Sequence, residues 1–163
     1  MRIPMVLPLN EGFLRRECPH CERQFKVRVQ QPDDVLEEHE LTELELTNFC
    51  PLCHEPAPAN TWWTKEQIEY QNQVTTAAVS DELHGMLTRT FAGLNQPRGP
   101  FRVEIERNEV EEPKSLDEPH DMIRVDPPCH QETPLKIPVT WGRDVACFEC
   151  GIRYPVDVIR VEG

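Results

Sequence analysis

Residues 24–29 alternate Gln24, Lys26 and Arg28 with Phe25, Val27 and Val29. A period of two puts every second side chain on one face, so this stretch predicts a strand with one buried face. The pattern recurs in "LTELELTNF" (41–49), in "FRVEI" (101–105) through Phe101, Val103 and Ile105, and in "MIRV" (122–125). It recurs again in "LKIPVTWGRDVACFE" (135–149), which reads as strand, turn at Trp141–Gly142, strand. The tail "GIRYPVDVIRVEG" alternates Ile152, Tyr154, Val156 and Val158 and predicts a last strand.

Between 61 and 94 the period changes. Ile68, Tyr70 and Val74, then Val79, Leu83, Met86, Leu87, Phe91 and Leu94, recur mostly at three- and four-residue steps, the spacing of a helix face. Thr64 stands where an N-cap belongs and Gln67 where a capping box completes it. About thirty residues at 1.5 Å each span ~45 Å, more than one small β-unit covers. Either the helix breaks near Ser80, or its apolar stripe packs on another chain. Trp62 and Trp63, just before it, read as a lock on the helix start; an exposed pair would instead mark an interface. The acidic run 31–46 reads as a solvated loop, 95–100 as a turn or linker, and 112–121 as an exposed loop.

Composition narrows what these elements build. Hydrophobic residues are 38% of the 163 and prolines number sixteen. An ordinary globular domain has about 45–50% apolar residues and about half that proline usage. Small cores with an added staple are expected, since units below about 70–80 residues commonly need metals or disulfides. No stretch reaches the ~20 apolar residues of a membrane span. The N-terminal apolar run is too short and too broken by proline for a signal peptide. A cytoplasmic protein is expected, where thiols stay reduced. The net charge of −12 repels nucleic acid and anionic membranes at long range.

The staple is legible in the cysteines. Seven cysteines fall as three C-x-x-C pairs, Cys18/Cys21, Cys50/Cys53 and Cys147/Cys150, plus Cys129, which His130 follows. An odd count suits a disulfide framework poorly. Cys18, Cys21, Cys50 and Cys53 supply four thiolates, the donor set of a tetrahedral zinc. Pro19 and Pro51 favour the tight turn that aims both sulfurs of a pair at one ion. A redox dithiol would need a strand before the motif and a helix opening from it; here a strand follows, and a matching pair waits downstream. Four thiolates leave no open position, so this zinc would be structural. Knuckle, strand, excursion, strand and knuckle make a zinc-ribbon arrangement.

The second cluster needs a fourth donor. Seventeen residues separate Cys129 from Cys147, a spacing of paired knuckles. His130 is the first candidate, although adjacent residues reach one ion only tightly; Asp126, Glu132 and His120 are the others. With none of them, water would fill an open position, the one place for metal-assisted hydrolysis. No general base or substrate pocket accompanies it, and no other catalytic motif is present. A rubredoxin-like iron also fits four thiolates. His20 and His54 beside the knuckles read as supporting hydrogen-bond groups, His39 and His84 as surface residues.

"CPHCERQFKV…FCPLCHEPAPANTWWTKEQIEY" and "DMIRVDPPCHQETPLKI…VACFECGIRY" resemble a group of uncharacterised bacterial proteins with a zinc ribbon at each end. The knuckles are more widely similar to the zinc-ribbon superfamily. The resemblance covers both ends well and the middle poorly; it implies a fold and two metal sites and carries no activity. "CPHCERQFKV" and "DPPCHQETPLKIPV" also share the step from ligand pair to strand, a weak internal repeat.

The expected fold is α+β, two small zinc-ribbon β-units joined by a long helical segment. Its bounds are an N-terminal ribbon at 1–60, a helical connector at 61–100 and a C-terminal zinc-binding β-unit at 101–163. The expected function is a non-enzymatic zinc-binding interaction or adaptor module with two Zn2+ ions, a protein partner and a homodimer through the 64–94 helix. The alternative is a nucleic-acid-binding regulator using Arg15, Arg16, Arg23, Lys26 and Arg28 with Phe13 and Phe25. Against it, these cations would pair with the acidic 33–45 run.

Overall fold

A computed structural model describes residues 7–29, 47–92, 103–106 and 112–161. The acidic run 31–46 with His39, the linker 95–100, Leu94 and Phe101 lie outside the described residues. The chain divides into two compact units, one containing Glu66–Leu116 and one joining Leu7–Lys65 to Asp117–Gly163.

The described residues of the second unit include four β-hairpins. β1 (Phe13–Glu17) and β2 (Gln24–Arg28) form the first, β3 (Thr47–Phe49) and β4 (Pro56–Pro58) the second. β5 (Met122–Val125) and β6 (Leu135–Pro138) form the third, β7 (Val145–Ala146) and β8 (Arg153–Tyr154) the fourth. Each hairpin carries one ligand-bearing pair in its connection. The first and third join edge to edge through β2 and β6, giving one four-stranded sheet of order β1-β2-β6-β5. Where the sequence leads one to expect two separate β-units, strands from both ends of the chain share this sheet.

The halves are related by an approximate two-fold about the β2–β6 seam, where Lys26 faces Lys136 and Val27 faces Leu135. Each half ends in a short helical turn tied to the end of its outer strand. After β4 comes a 3-10 turn, Ala59–Thr61, and the N–H of Glu17 donates to the Trp62 carbonyl at 3.1 Å. After β8 comes the one-turn helix α2 (Val156–Ile159), and the N–H of Asp126 donates to the Ile159 carbonyl at 2.9 Å. The weak repeat in the sequence is thus a repeat in space.

The long predicted strand at 152–158 is corrected by α2. Pro155 cannot donate to a ladder and suits a helix start, so β8 stops at Tyr154. Val156 and Ile159, one helical turn apart, are then buried together, while Val158 points out at 71% exposure. The return strand at 41–49 is described only as β3, which pairs with β4 rather than with β2. Val103–Glu106 are not in a strand.

Phe25, Trp62 and Phe148 fill the interior with ring centroids 5.3–5.8 Å apart and tilted or edge-on faces. Val125, Leu135, Ile137 and Val145 are fully buried around them. Each such side chain contributes about 1.5–3 kcal/mol on burial. Trp62 is therefore core, and Trp63 lies half-buried under the Arg16 guanidinium, 4.9 Å from its ring.

The sheet carries four cations in one cross-strand row: Arg15, Lys26, Lys136 and Arg124. Cross-strand partners share a face, so this row would repel itself without counter-charges. Lys26 is fully buried and bonds Glu118 at 2.7 Å, Asp121 at 2.9 Å and the Pro119 carbonyl. Arg15 grips the same two carboxylates at 2.9 and 2.7 Å. Lys136 donates to Asn10 Oδ1 at 2.8 Å and Glu11 Oε2 at 2.5 Å, and Arg124 binds Asp126 at 2.8 and 3.0 Å. The expected alternation of a solvent face on β2 is overridden by these acids.

In the other unit, α1 (Lys65–Phe91) runs unbroken through Ser80, beginning directly after Thr64. Its 27 residues extend about 40 Å. Within this unit the Lys114 N–H donates to Gln73 Oε1 at 3.3 Å. Among the described residues, no helix is long and apolar enough to cross a membrane.

Candidate metal centres

Each C-x-x-C pair forms the same tight loop. The N–H of the residue after the second cysteine returns to the first cysteine's carbonyl: Glu22 to Cys18 at 2.9 Å, His54 to Cys50 at 3.0 Å, Gly151 to Cys147 at 2.9 Å. The first cysteine's own N–H reaches forward to Arg23, Glu55 or Ile152 at 2.8–3.0 Å. The closing residue sits in the left-handed region each time, with φ of 55° at Glu22, 71° at His54 and 74° at Gly151. These loops aim backbone N–H groups at sulfur. His20 and Cys21 donate to Cys18 Sγ at 3.4 and 3.5 Å, and Leu52 and Cys53 each to Cys50 Sγ at 3.4 Å. Such donors stabilise a thiolate.

The first and second hairpins bring Cys18, Cys21, Cys50 and Cys53 together with all donor atoms within 4.8 Å of one another. Cys18 Sγ lies 3.6 Å from Cys53 Sγ, and Cys21 Sγ 3.9 Å from Cys50 Sγ. A disulfide would need about 2.05 Å. A tetrahedral ion with metal–sulfur bonds of about 2.3 Å sets sulfurs about 3.8 Å apart.

The third and fourth hairpins bring Cys129, His130, Cys147 and Cys150 within the same 4.8 Å limit. Cys150 Sγ is 3.5 Å from Cys129 Sγ, and Cys147 Sγ is 3.4 Å from His130 Nδ1. Zinc–nitrogen bonds are shorter, so a sulfur–nitrogen edge of about 3.5 Å is the tetrahedral value. Cys129 and His130 stand on a turn in which the His130 N–H reaches the Pro127 carbonyl at 3.2 Å. This turn lets adjacent side chains converge. Asp126, Glu132 and His120 are outside the cluster, and the Asp126 carboxylate is held by Arg124. An open cleft of about 540 Å³ beside this cluster is lined by Cys129, His130, Glu132 and Glu149, among others.

Burial makes a bare thiolate costly at three of the sulfurs. Burial pushes the Cys50 thiol well up, the Cys147 thiol up to about 12 and the Cys21 thiol up to about 11. Without a positive ion these groups hold their protons; a metal reverses that preference. Cys129 is brought down to about 7: burial opposes this, but hydrogen bonds from Tyr154, His130 and the other two thiols outweigh it. The same contact with Cys129 lifts the Tyr154 hydroxyl to about 12. Tyr154, read from the sequence as a strand residue only, is thus part of the site.

His20 Nε2 lies 3.1 Å from the Pro56 carbonyl and His54 Nε2 3.3 Å from that of Asp144, so both rings lock loops around a cluster. Gly151 serves the site in a way no local pattern announces: a Cβ there would meet the Phe49 ring at 2.8 Å. Arg23 lies 5.4 Å above Trp141.

The chain matches no family model, no curated protein and no solved structure. Two Cys/His clusters geometrically compatible with zinc are thus set in ribbon-like hairpins of an α+β fold.

Proposed function

We propose that this protein is a non-enzymatic, cytoplasmic interaction module built on two structural Zn2+ ions. Cys18, Cys21, Cys50 and Cys53 hold one; Cys129, His130, Cys147 and Cys150 hold the other. The observation that carries the reading is the convergence of four donors at each of two points. Four protein donors fill a tetrahedral zinc and leave no place for a reacting water.

The partner is a protein, and α1 offers the surface. Ile68, Val79, Leu83 and Met86 are 47–51% exposed. Steps of eleven, four and three residues keep them on one helix face, which suits a homodimer through the 64–94 helix. The nucleic-acid reading is weakened by the fate of the basic residues. Arg15 and Lys26 are occupied by Glu118 and Asp121, and Arg16 and Arg23 lie over tryptophans.

Elemental analysis of the reduced, folded chain tests the metal reading: two zinc per chain is expected, and no bound metal sinks it. A red colour would instead identify iron. Sedimentation tests the surface: Leu83→Glu is expected to abolish a dimer seen in the parent, and a monomeric parent removes that part. A salt-sensitive gel shift would restore the nucleic-acid alternative.

A further inference from the structure

The four hairpins are linked in a ring whose links alternate in kind. Within each half, the two hairpins share no strand pairing and meet at their metal ligands, with the strand-end bonds to Trp62 or Ile159 beside them. Between halves, the backbone makes the connection twice. β2 pairs with β6, which joins the first hairpin to the third. The second hairpin meets the fourth knuckle to knuckle: the Phe49 N–H donates to the Phe148 carbonyl at 2.8 Å, and the Ala146 N–H to the Pro51 carbonyl at 3.0 Å. These bonds flank Cys50 and Cys147, one ligand from each cluster. The Phe49 ring is seated against Gly151, and the Phe148 ring packs against Phe25 and Trp62 of the other half.

We propose that the two sites bind their ions cooperatively, each ion tightening the hold on the other; this rests on both clusters being metal sites. An ion at the first cluster fixes the second hairpin to the first. The knuckle bonds then position Cys147 and Cys150, and the β2–β6 seam positions Cys129 and His130. The second ion meets four donors already gathered, and the conformational cost of ordering the ring falls mainly on the first. The coupling is reciprocal: whatever factor the first ion gives the second, the second gives the first.

Cobalt titration of the full reduced chain tests this, because the visible spectrum separates a site of four thiolates from one of three thiolates and an imidazole. Disabling the second cluster with Cys129→Ser and His130→Ala is expected to weaken cobalt at the first about tenfold or more. Disabling the first with Cys21→Ser and Cys53→Ser is expected to weaken the second by the same factor. Affinities unchanged by the neighbour's loss would overturn cooperativity while leaving two metal sites standing; a parent chain that binds no metal would overturn both. Should a variant not fold, native mass spectrometry of the parent decides. At half saturation with zinc, independent sites of equal affinity leave about half the molecules with one ion and unequal ones leave more, while tenfold coupling of matched sites reduces that to about a quarter. A one-ion fraction below half supports the proposal, since independent sites do not produce it; a fraction no lower than independent sites of the measured affinities would give overturns it.

Discussion

The two halves of the β-hairpin unit share a layout but differ in what they put into it. The first cluster is made by two knuckles, has two fully buried sulfurs and draws on thiols alone. The second is made by one knuckle and a plain turn, and brings a ring nitrogen beside three sulfurs. The cation row differs in the same sense. Arg15 and Lys26, both largely covered, share the buried Glu118 carboxylate and the more open one of Asp121, whereas Arg124 and Asp126 pair at 40% and 33% side-chain exposure. A hairpin frame therefore tolerates different ligand chemistry as long as one pair in each cluster is held rigidly.

The largest effect expected from this difference is at the buried ligands. Cys50→Ser should remove the first ion and with it zinc-linked folding energy on the order of 10 kcal/mol, comparable to the whole stability of a small domain. Loss of the cooperative thermal transition is the readout. His130→Ala keeps three thiolates, so a folded chain that loses its second ion first to a chelator is expected. Equal loss from both sites would erase the distinction.

Next comes the pair of matched charges. Glu118→Gln strands Lys26 and Arg15 with one shared carboxylate, and a loss of about 3 kcal/mol is expected from urea unfolding. Asp126→Asn, which removes the more exposed partner of Arg124 in the other half, should cost under about 1 kcal/mol. Similar values would mean that burial does not separate the halves.

The smallest effect is that of acid. Asp121 is partly desolvated, but Arg15 and Lys26 hold its carboxyl below the ordinary 3.8. A carboxyl lowered by folding stabilises the native state above its unfolded pKa, and that stability is lost as pH falls through the folded value. An Asp121→Asn chain should therefore lose stability more gently than the parent below about pH 4. Parallel acid-unfolding curves would contradict this.

Local features of this design can be read directly from the letters. The C-x-x-C pairs, Pro19 and Pro51, and the 3.6-residue period of α1 are each contained in a few neighbouring residues. His130 ranks first among the fourth-donor candidates by the usual ligand preferences of zinc. The β2–β6 seam cannot be read, because it joins residues 110 apart whose alternation fits any partner strand. Lys26 falls on a solvent face by period-two logic, which has no knowledge of Glu118 or Asp121. At 152–158 two periods compete, and Pro155 decides for a helical turn.

The row of like charges across the sheet has a consequence for assembly. Strands brought into register set Lys26 and Lys136 about 5 Å apart, with Arg15 and Arg124 on either side. Without Glu11 and the 118–121 segment docked, repulsion within that row would oppose the seam. Added salt should hasten its zipping while loosening the finished clasp. The anionic stretches thus offset the repulsion that opposes closing the sheet between its two halves.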